Sequence, residues 1–332
     1  MTQHPFSKFV AILGRGKTKQ RHLTLEESRE AMEMLLRREA APEQVGAFLM
    51  LLRLKEEAPE EIAGFAMGAR ATFDRPADVP AVDLDWSSYA GKRVQLPWYI
   101  LSALALVGAG YKVLMHGTEG HTPGRVYTRE VLEILNVPIA DSFDAATGHI
   151  RTGGFAYLPL EVLSAPLKEM INLRPILGLR SPVHSFTRML NPFNAPAVIV
   201  GIFHRGFMDI HAGAAQIMGM QSFAVFRGDG GEAERRPNKP TQVWNTHLTD
   251  EPLVETWPTL LDGHAPKDEE MDISRLARVW AGEADAYGEA AVTGSMAIAL
   301  RSMGKAGSME QADAMARDIW AARDKGCVPA ST

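Results

Sequence analysis

The stretch WYILSALALVGAGYKVLMHG, residues 98–117, decides how this chain folds. Residues 98–110 are apolar and close on Gly110, which reads as a helix with a glycine stop. Residues 111–115 follow as a short buried strand, with His116 and Gly117 at its end. Residues 92–96 read as a further short strand ahead of the helix. A strand, an apolar helix and a second strand form the unit from which α/β sheets are built.

Working outward, the pattern continues toward the C-terminus. Residues 129–135 read as a helix, followed by Val137-Pro138-Ile139. Residues 160–190 turn helical again, and 198–203 and 222–226 are strand-like with a helix over 210–218 between them. Residues 272–326 read as helices with Ala, Met and Trp on their apolar faces. Toward the N-terminus the strands disappear. Residues 5–13 suggest a short helix ending in the basic loop Gly14-Arg15-Gly16-Lys17. Thr24 with Glu27 three residues on makes a capping box for a helix carrying Ala31, Met34 and Leu35. Pro42 and Pro59 open two more helices, one with Val45, Phe48, Leu49 and Leu52 on a face, the other with Ile62, Phe65, Ala66 and Ala69. The expected layout is a helical domain over 1–73 with return helices near 160–190, a hinge or linker over 74–90, and an α/β domain over 91–159 and 191–332.

Composition narrows the class. The 332 residues are 46% hydrophobic and 23% charged, so material for a core is ample and a disordered chain is excluded. The single Cys327 excludes an intrachain disulfide framework and any cysteine-based metal site. The apolar run over 98–110 falls short of the roughly 20 residues a membrane span needs. The start, MTQHPFSKF, has no signal-type apolar run, and a cytoplasmic setting is expected. The net charge of −5 argues, as a sum, against a polyanion partner.

Several strings carry a family resemblance. Gly110-Tyr-Lys-Val-Leu-Met-His-Gly117, Asn172-Leu-Arg-Pro-Ile-Leu-Gly-Leu-Arg180 and Met189-Leu-Asn-Pro192 resemble, in order, three signature segments of the anthranilate phosphoribosyltransferase family, which shares its fold with pyrimidine nucleoside phosphorylases. The resemblance runs over nearly the whole chain. It implies an α/β fold in which a small N-terminal all-helical domain joins a larger α/β domain with a central mixed sheet. The departures are concentrated at phosphate- and magnesium-handling positions. The family's G-T-G-G-D loop, whose backbone N–H groups cradle pyrophosphate, is Ser87-Ser-Tyr-Ala-Gly-Lys-Arg-Val94 here, with Gly91 retained. The family's Lys before His-Gly is Met115, and its Ser-rich loop is the segment from Thr118 to Arg125. Its adjacent acidic pair for Mg²⁺ falls near Gly228-Asp-Gly-Gly-Glu-Ala-Glu234, where no two acids adjoin. Together these changes resemble the divergent YbiB-type branch, which carries an early G-R-G-K (14–17), S-Y-x-G-x-R/K (88–93), R-x-x-x-H (Arg180, His184) and G-x-x-G-E followed by P-x-K/R (228–232, 237–239). The branch resemblance implies a homodimer, joined through the N-terminal helices, that binds DNA or RNA without strong sequence preference.

Charge position supports that implication where the total does not. Residues 250–289 hold eleven acids against three Lys or Arg, more than the whole net charge. The first 25 residues hold Lys8, Arg15, Lys17, Lys19 and Arg21 and no acid. Residues 170–208 hold Arg174, Arg180, Arg188 and Arg205 and again no acid. Such local excess is what phosphate attraction requires, although solvated basic turns and interdomain arginines look the same in sequence. Arg15, Lys17, Lys19, Arg21, Lys92, Arg93, Arg125, Arg174, Arg180, His184 and Arg188 are therefore the candidate phosphate or nucleic-acid contacts, with Tyr89, Gly91, His116, Gly117 and Glu232 in the cleft. By resemblance, Arg174 stands where the family faces the anthranilate carboxylate. His116 reads as a hydrogen-bonded core residue rather than a catalyst, Gly117 as a place where backbone approaches a ligand, and Glu232 as an ion-pair partner of Arg235 or Arg236. Trp86, Tyr89, Trp98 and Tyr99 beside Lys92-Arg93 suit base stacking or plain core packing. No catalytic residue, metal or cofactor is expected. Mg²⁺ and phosphoribosyl pyrophosphate enter only under the alternative, a glycosyl- or phosphoribosyltransferase with a remodelled donor site and an aromatic or base-like acceptor.

Overall fold

Four helices precede the first strand: α1 (Ser7–Gly14), α2 (Leu25–Leu36), α3 (Pro42–Lys55) and α4 (Pro59–Ala71). They belong to a computed structural model that describes residues 3–331 apart from 17, 247–252 and 269. The capping box forms as read: Thr24 Oγ1 accepts from the Glu27 N–H at 3.2 Å and the Glu27 carboxylate accepts from the Thr24 N–H at 2.9 Å. Pro42 and Pro59 each occupy the first turn of their helix, where a missing N–H costs nothing. Phe6 meets Phe48 and Phe48 meets Phe65 edge to face inside this unit, and Phe65 touches Phe186 with ring centroids 5.5 Å apart. Each such ring contributes roughly 1.5–3 kcal/mol by burial. Phe186 belongs to the return segment, so the contact fastens that segment to the helical unit.

The remaining elements are β1 (Leu84–Ser88), α5 (Tyr99–Gly108), β2 (Val113–Gly117), α6 (Thr128–Ile134), α7 (Phe143–Gly153), β3 (Phe155–Pro159), α8 (Leu160–Leu163), α9 (Ala165–Asn172), α10 (Arg174–Leu177), α11 (Val183–Phe186), β4 (Ala197–Ile202), α12 (Phe207–Ile217), β5 (Ser222–Arg227), β6 (Thr241–Asn245), β7 (Leu253–Trp257), α13 (Ser274–Ala281), α14 (Ala286–Ser302) and α15 (Met309–Ala322). One mixed sheet results, in the order β3-β2-β1-β4-β5-β6-β7. The strands from β3 to β5 run parallel, and β6 and β7 run antiparallel. One core lies between the helical unit and one sheet face, and a second lies under α5, α14 and α15 on the other.

The structure differs from the sequence reading at the centre of this sheet. The segment 74–90 reads as a linker, yet Leu84–Ser88 forms the strand between β2 and β4. Its sequence, LDWSS, interrupts the apolar run with Asp85, Ser87 and Ser88, all buried. Two of those polar groups find distant partners. Asp85 Oδ1 lies 3.1 Å from His116 Nε2, and Ser88 Oγ bonds the hydroxyls of Tyr99 and Thr128 at 3.0 and 2.7 Å. The strand expected over 92–96 is reduced to one backbone pairing of Lys92 with Val126. Helix α7 and strand β3 are additions that the sequence pattern does not announce.

Candidate anion-binding cleft

Strands β1 and β4 are neighbours whose crossover connections leave in opposite directions. This is the switch point of an open parallel sheet, and ligands bind there at the carboxyl ends of the strands. Three loops meet at that place: 89–92 after β1, 203–206 after β4 and 228–234 after β5.

The loop after β1 is closed from within the chain. Gly91 takes a φ of +70°, and a Cβ there would lie 2.6 Å from the Tyr127 ring, so only glycine fits. The N–H groups of Ala90 and Gly91 both donate to Glu232 Oε1, at 2.7 Å for Ala90. Glu232 is fully buried, and its Oε2 has no hydrogen-bond partner. Lys92 is also fully buried and is ion-paired to both Asp229 and Glu234. Burial alone lowers the Lys92 ammonium, but the two carboxylates hold it raised overall. Glu234 further accepts from the Tyr99 N–H at 2.9 Å. Asp229, Glu232 and Glu234 are thus committed to a lysine and to backbone donors, and they do not fit a Mg²⁺ ion. Among the described residues no group of three His, Cys, Asp or Glu is arranged to hold a metal.

Beside this closed loop lies an open cleft of about 800 Å³, walled by the helical unit on one side and the α/β domain on the other. Arg125, Arg174, Arg180 and Arg188 line it, and none of the four has a carboxylate within ion-pair distance among the described residues. Their positions come from bonds to neutral groups. Arg125 donates to the carbonyls of Ala90 and Gly91 at 2.8 and 2.9 Å. Arg188 donates to those of Gly201 and Gly231 at 2.7 and 2.9 Å. Arg174 donates to the His121 carbonyl at 2.6 Å and shares Thr122 Oγ1 with Arg180, at 2.8 and 2.5 Å. Burial, then Arg125 and Arg174, lowers the Arg180 guanidinium to about 10. Burial, aided by His184 and Arg180, lowers His121 to about 2, and burial with Arg180 lowers His184 to about 3, so both rings are neutral. The two rings touch edge to face, 4.8 Å apart. Glu56 and Glu57 line the helical-unit wall, and burial raises Glu57 to about 7.

The structure sorts the residues singled out from sequence. Arg125, Arg174, Arg180, His184 and Arg188 come together in the cleft. Lys92 does not: its buried ion pairs withdraw it from any ligand. Arg93 is exposed but does not line the cleft. Arg21 makes a two-pronged contact with the Glu27 carboxylate at 2.6 and 2.7 Å, so its charge is already met. Arg15 and Lys19 are exposed beyond α1, and Lys17 lies outside the described residues. Tyr89 and His116 are buried and bonded to each other at 2.7 Å, a core pairing. Gly117 serves close approach, but to the chain itself, since a Cβ there would sit 2.0 Å from the Ser88 carbonyl oxygen. Glu232 holds backbone N–H groups rather than Arg235, which pairs with Asp313. Trp86, Tyr89, Trp98 and Tyr99 are all buried, so none is presented to a base. Sequence reasoning missed Thr122, Ser181 and Phe203 in the cleft, and His121 packed against His184 behind it. Phe203 is 52% exposed, and an aromatic directly after a buried strand was its one available signal.

The fold and this site define a two-domain phosphoribosyl- or glycosyl-transfer scaffold. Residues 11–73 match the model described as glycosyl transferase family, helical bundle domain, and residues 99–322 match glycosyl transferase family, a/b domain, so the chain belongs to that family. It is 28% identical over 328 residues to the anthranilate phosphoribosyltransferase of Parvibaculum lavamentivorans, covering 94% of this chain and 92% of that one. A match with the same enzyme of Prochlorococcus marinus (strain NATL1A), 28% identical over 217 residues, covers 63% of this chain and 61% of the relative's length. The crystal structure of anthranilate phosphoribosyltransferase from Thermus thermophilus superimposes with a TM-score of 0.78 at 23% identity, covering 96% of this chain and 95% of that one. Among the described residues no helix is long and apolar enough to cross a membrane.

Proposed function

We propose that this chain is a member of the family that no longer handles phosphoribosyl pyrophosphate and Mg²⁺, and that it binds single-stranded nucleic acid, with little sequence preference, in the arginine cleft. One observation carries the reading: four guanidiniums line one cleft and, among the described residues, none is within ion-pair distance of a carboxylate, Glu232 acting on Arg188 only from farther away. Phosphate oxygens supply the missing counter-charge, and charge-assisted bonds to guanidinium are the strong ones. The N–H pair of Ala90 and Gly91 already holds Glu232, and the acids of the 228–234 loop already hold Lys92, which supports loss of the donor site. Arg15 and Lys19 are exposed on the helical unit and add basic charge there. A homodimer is part of the reading. Leu54, at the end of α3, and Ile176 in α10 are 84% and 79% exposed, and Arg53 ties their two segments together through the Arg180 carbonyl. The test is fluorescence anisotropy with a labelled single-stranded oligonucleotide across a salt series. The logarithm of the affinity falls linearly with log salt if phosphate contacts drive binding. Affinity that ignores salt, or no binding at 50 mM salt, removes the reading. Light scattering at micromolar concentration tests the dimer.

A second reading has one observation in its favour: the cleft retains Arg174 inside a family of transferases. It makes the chain a glycosyl- or phosphoribosyltransferase with a remodelled donor site and an aromatic or base-like acceptor. Micromolar binding of phosphoribosyl pyrophosphate with Mg²⁺ in a calorimeter supports it.

A further inference from the structure

We propose that the arginine cleft takes the terminal phosphate of a nucleotide, with the attached base stacked on Phe203, so that it recognises the end of a strand rather than its interior. This rests on the nucleic-acid reading above for the strand, while the pocket chemistry itself is that of any nucleoside monophosphate.

Three features argue for an end. The first is charge. An internal phosphodiester brings one negative charge, whereas a phosphomonoester brings about −1.5 to −2 and three strong acceptor oxygens. The cleft arginines converge instead of lining up along a track: Arg174 and Arg180 share one hydroxyl, Thr122 Oγ1, and Arg125 and Arg188 reach the adjoining backbone of residues 90–91 and 231. A convergent set matches one compact dianion.

The second feature is a set of buried polar atoms without partners. His184 Nε2, Ser181 Oγ and Arg125 Nε are each buried and make no hydrogen bond among the described residues. His184 and Ser181 are 8% and 6% exposed, and both line the cleft. His184 is neutral and its Nδ1 faces the Ser181 carbonyl at 3.3 Å, so Nδ1 carries the proton and Nε2 is left as an acceptor. It needs a donor, which a ribose hydroxyl or a base amino group of the bound nucleotide supplies. Buried polar atoms of this kind are seldom left unmet in a finished site.

The third feature is an exposed ring beside the cleft glycines, since a Cβ on Gly231 would lie 3.4 Å from Phe203 Cβ. Phe203 is half exposed, His204 stands against it edge to face at 5.0 Å, and the Arg227 guanidinium lies 5.7 Å from its ring centre. An exposed ring flanked by a guanidinium is a stacking platform for any base.

The test compares one labelled eight-nucleotide single strand in three forms, with a 5′-phosphate, a 3′-phosphate or hydroxyls at both ends, and uses adenosine monophosphate and inorganic phosphate as competitors. One phosphorylated form is expected to bind at least about tenfold tighter than the hydroxyl form, since a gained ion-paired contact is worth about that factor. Adenosine monophosphate is expected to compete for that advantage better than inorganic phosphate does. Arg180→Ala should bring the ratio of phosphorylated to hydroxyl affinity close to one, and Phe203→Ala should weaken adenosine monophosphate but not inorganic phosphate. Equal, salt-dependent affinity for all three strands overturns this proposal and leaves the nucleic-acid reading standing. Binding of adenosine monophosphate with no strand bound overturns the nucleic-acid reading and keeps the pocket chemistry. Binding of neither overturns both.

Discussion

Lys92 and Arg180 flank the same switch point of the sheet, and the chain treats them in opposite ways. Lys92 is surrounded by Asp229 and Glu234 and sealed from water. Arg180 is surrounded by Arg125, Arg174 and Arg188, and its nearest bonded oxygen belongs to a threonine. The first region is a finished ion-pair network whose job is to fix the 228–234 loop against β1. The second holds positive charge at an energetic cost, which a bound anion would remove. A basic residue in a loop is available to a ligand only where the fold supplies no counter-charge.

The largest effect should come from breaking the finished network. Lys92→Met leaves two carboxylates buried without their cation and should cost about 3–5 kcal/mol in a urea titration. Arg180→Ala removes a like-charge neighbour and should change stability by less than about 1 kcal/mol. Equal losses from the two variants would erase the contrast between the regions. In binding the order reverses. Arg174→Ala and Arg180→Ala should each weaken a single-stranded oligonucleotide by about 1.5–3 kcal/mol. Each should also flatten the salt slope by about 0.7 for every phosphate it no longer neutralises.

Glu232→Ala sharpens the contrast by converting one region into the other. It frees the N–H groups of Ala90 and Gly91, so stability should fall by about 1–3 kcal/mol for the donors left unmet. Binding of inorganic phosphate, followed by calorimetry, should strengthen. A variant that loses stability without gaining phosphate affinity would mean that Glu232 is a brace and not an internal stand-in for an anion.

A smaller effect is expected with pH. His184 and His121 are lowered well below 6.5 by burial beside arginine, so the unfolded chain takes up protons that the folded chain refuses. Stability contributed by these rings is present above about pH 6.5 and is lost as pH falls toward about 3, with a slope of up to about 1.4 kcal/mol per pH unit per ring. Glu57, raised to about 7, acts in the opposite sense and favours the fold below that value. His184→Gln should therefore flatten the acid side of a stability–pH curve, while the Glu57 contribution stays. The smallest effect should be at the surface. Reversing the charge of Arg15 or Lys19 singly should weaken oligonucleotide binding by about twofold, because exposed charges are screened. No change at all would remove that segment from the binding surface.

Parts of this fold were open to direct reading. The Thr24–Glu27 box, the prolines at 42 and 59, and the apolar run after Trp98 each carry their signal within a few residues, and helices α2 to α5 follow them. Strand β1 was hidden because Asp85 and Ser88 look like linker residues until His116, Tyr99 and Thr128 are brought beside them. Arg125, Arg174, Arg180, His184 and Arg188 were legible as candidates. Ser181 was not, since nothing about a lone serine marks it until a cleft forms around it, and Phe203 offered only its place directly after a buried strand.

The amino-acid sequence by itself determined the helical start, the helix–strand unit over residues 98–117, the family strings and the uneven placement of charge. Those are local or nearly local properties, set by spacing and side-chain chemistry. Only the tertiary structure decided which charges remain free. Lys92 meets Asp229 across 137 residues of chain, and Arg180 meets three other arginines instead. Coulomb energy and desolvation depend on distances that folding creates, so two equally basic segments became a sealed brace and an open anion cleft.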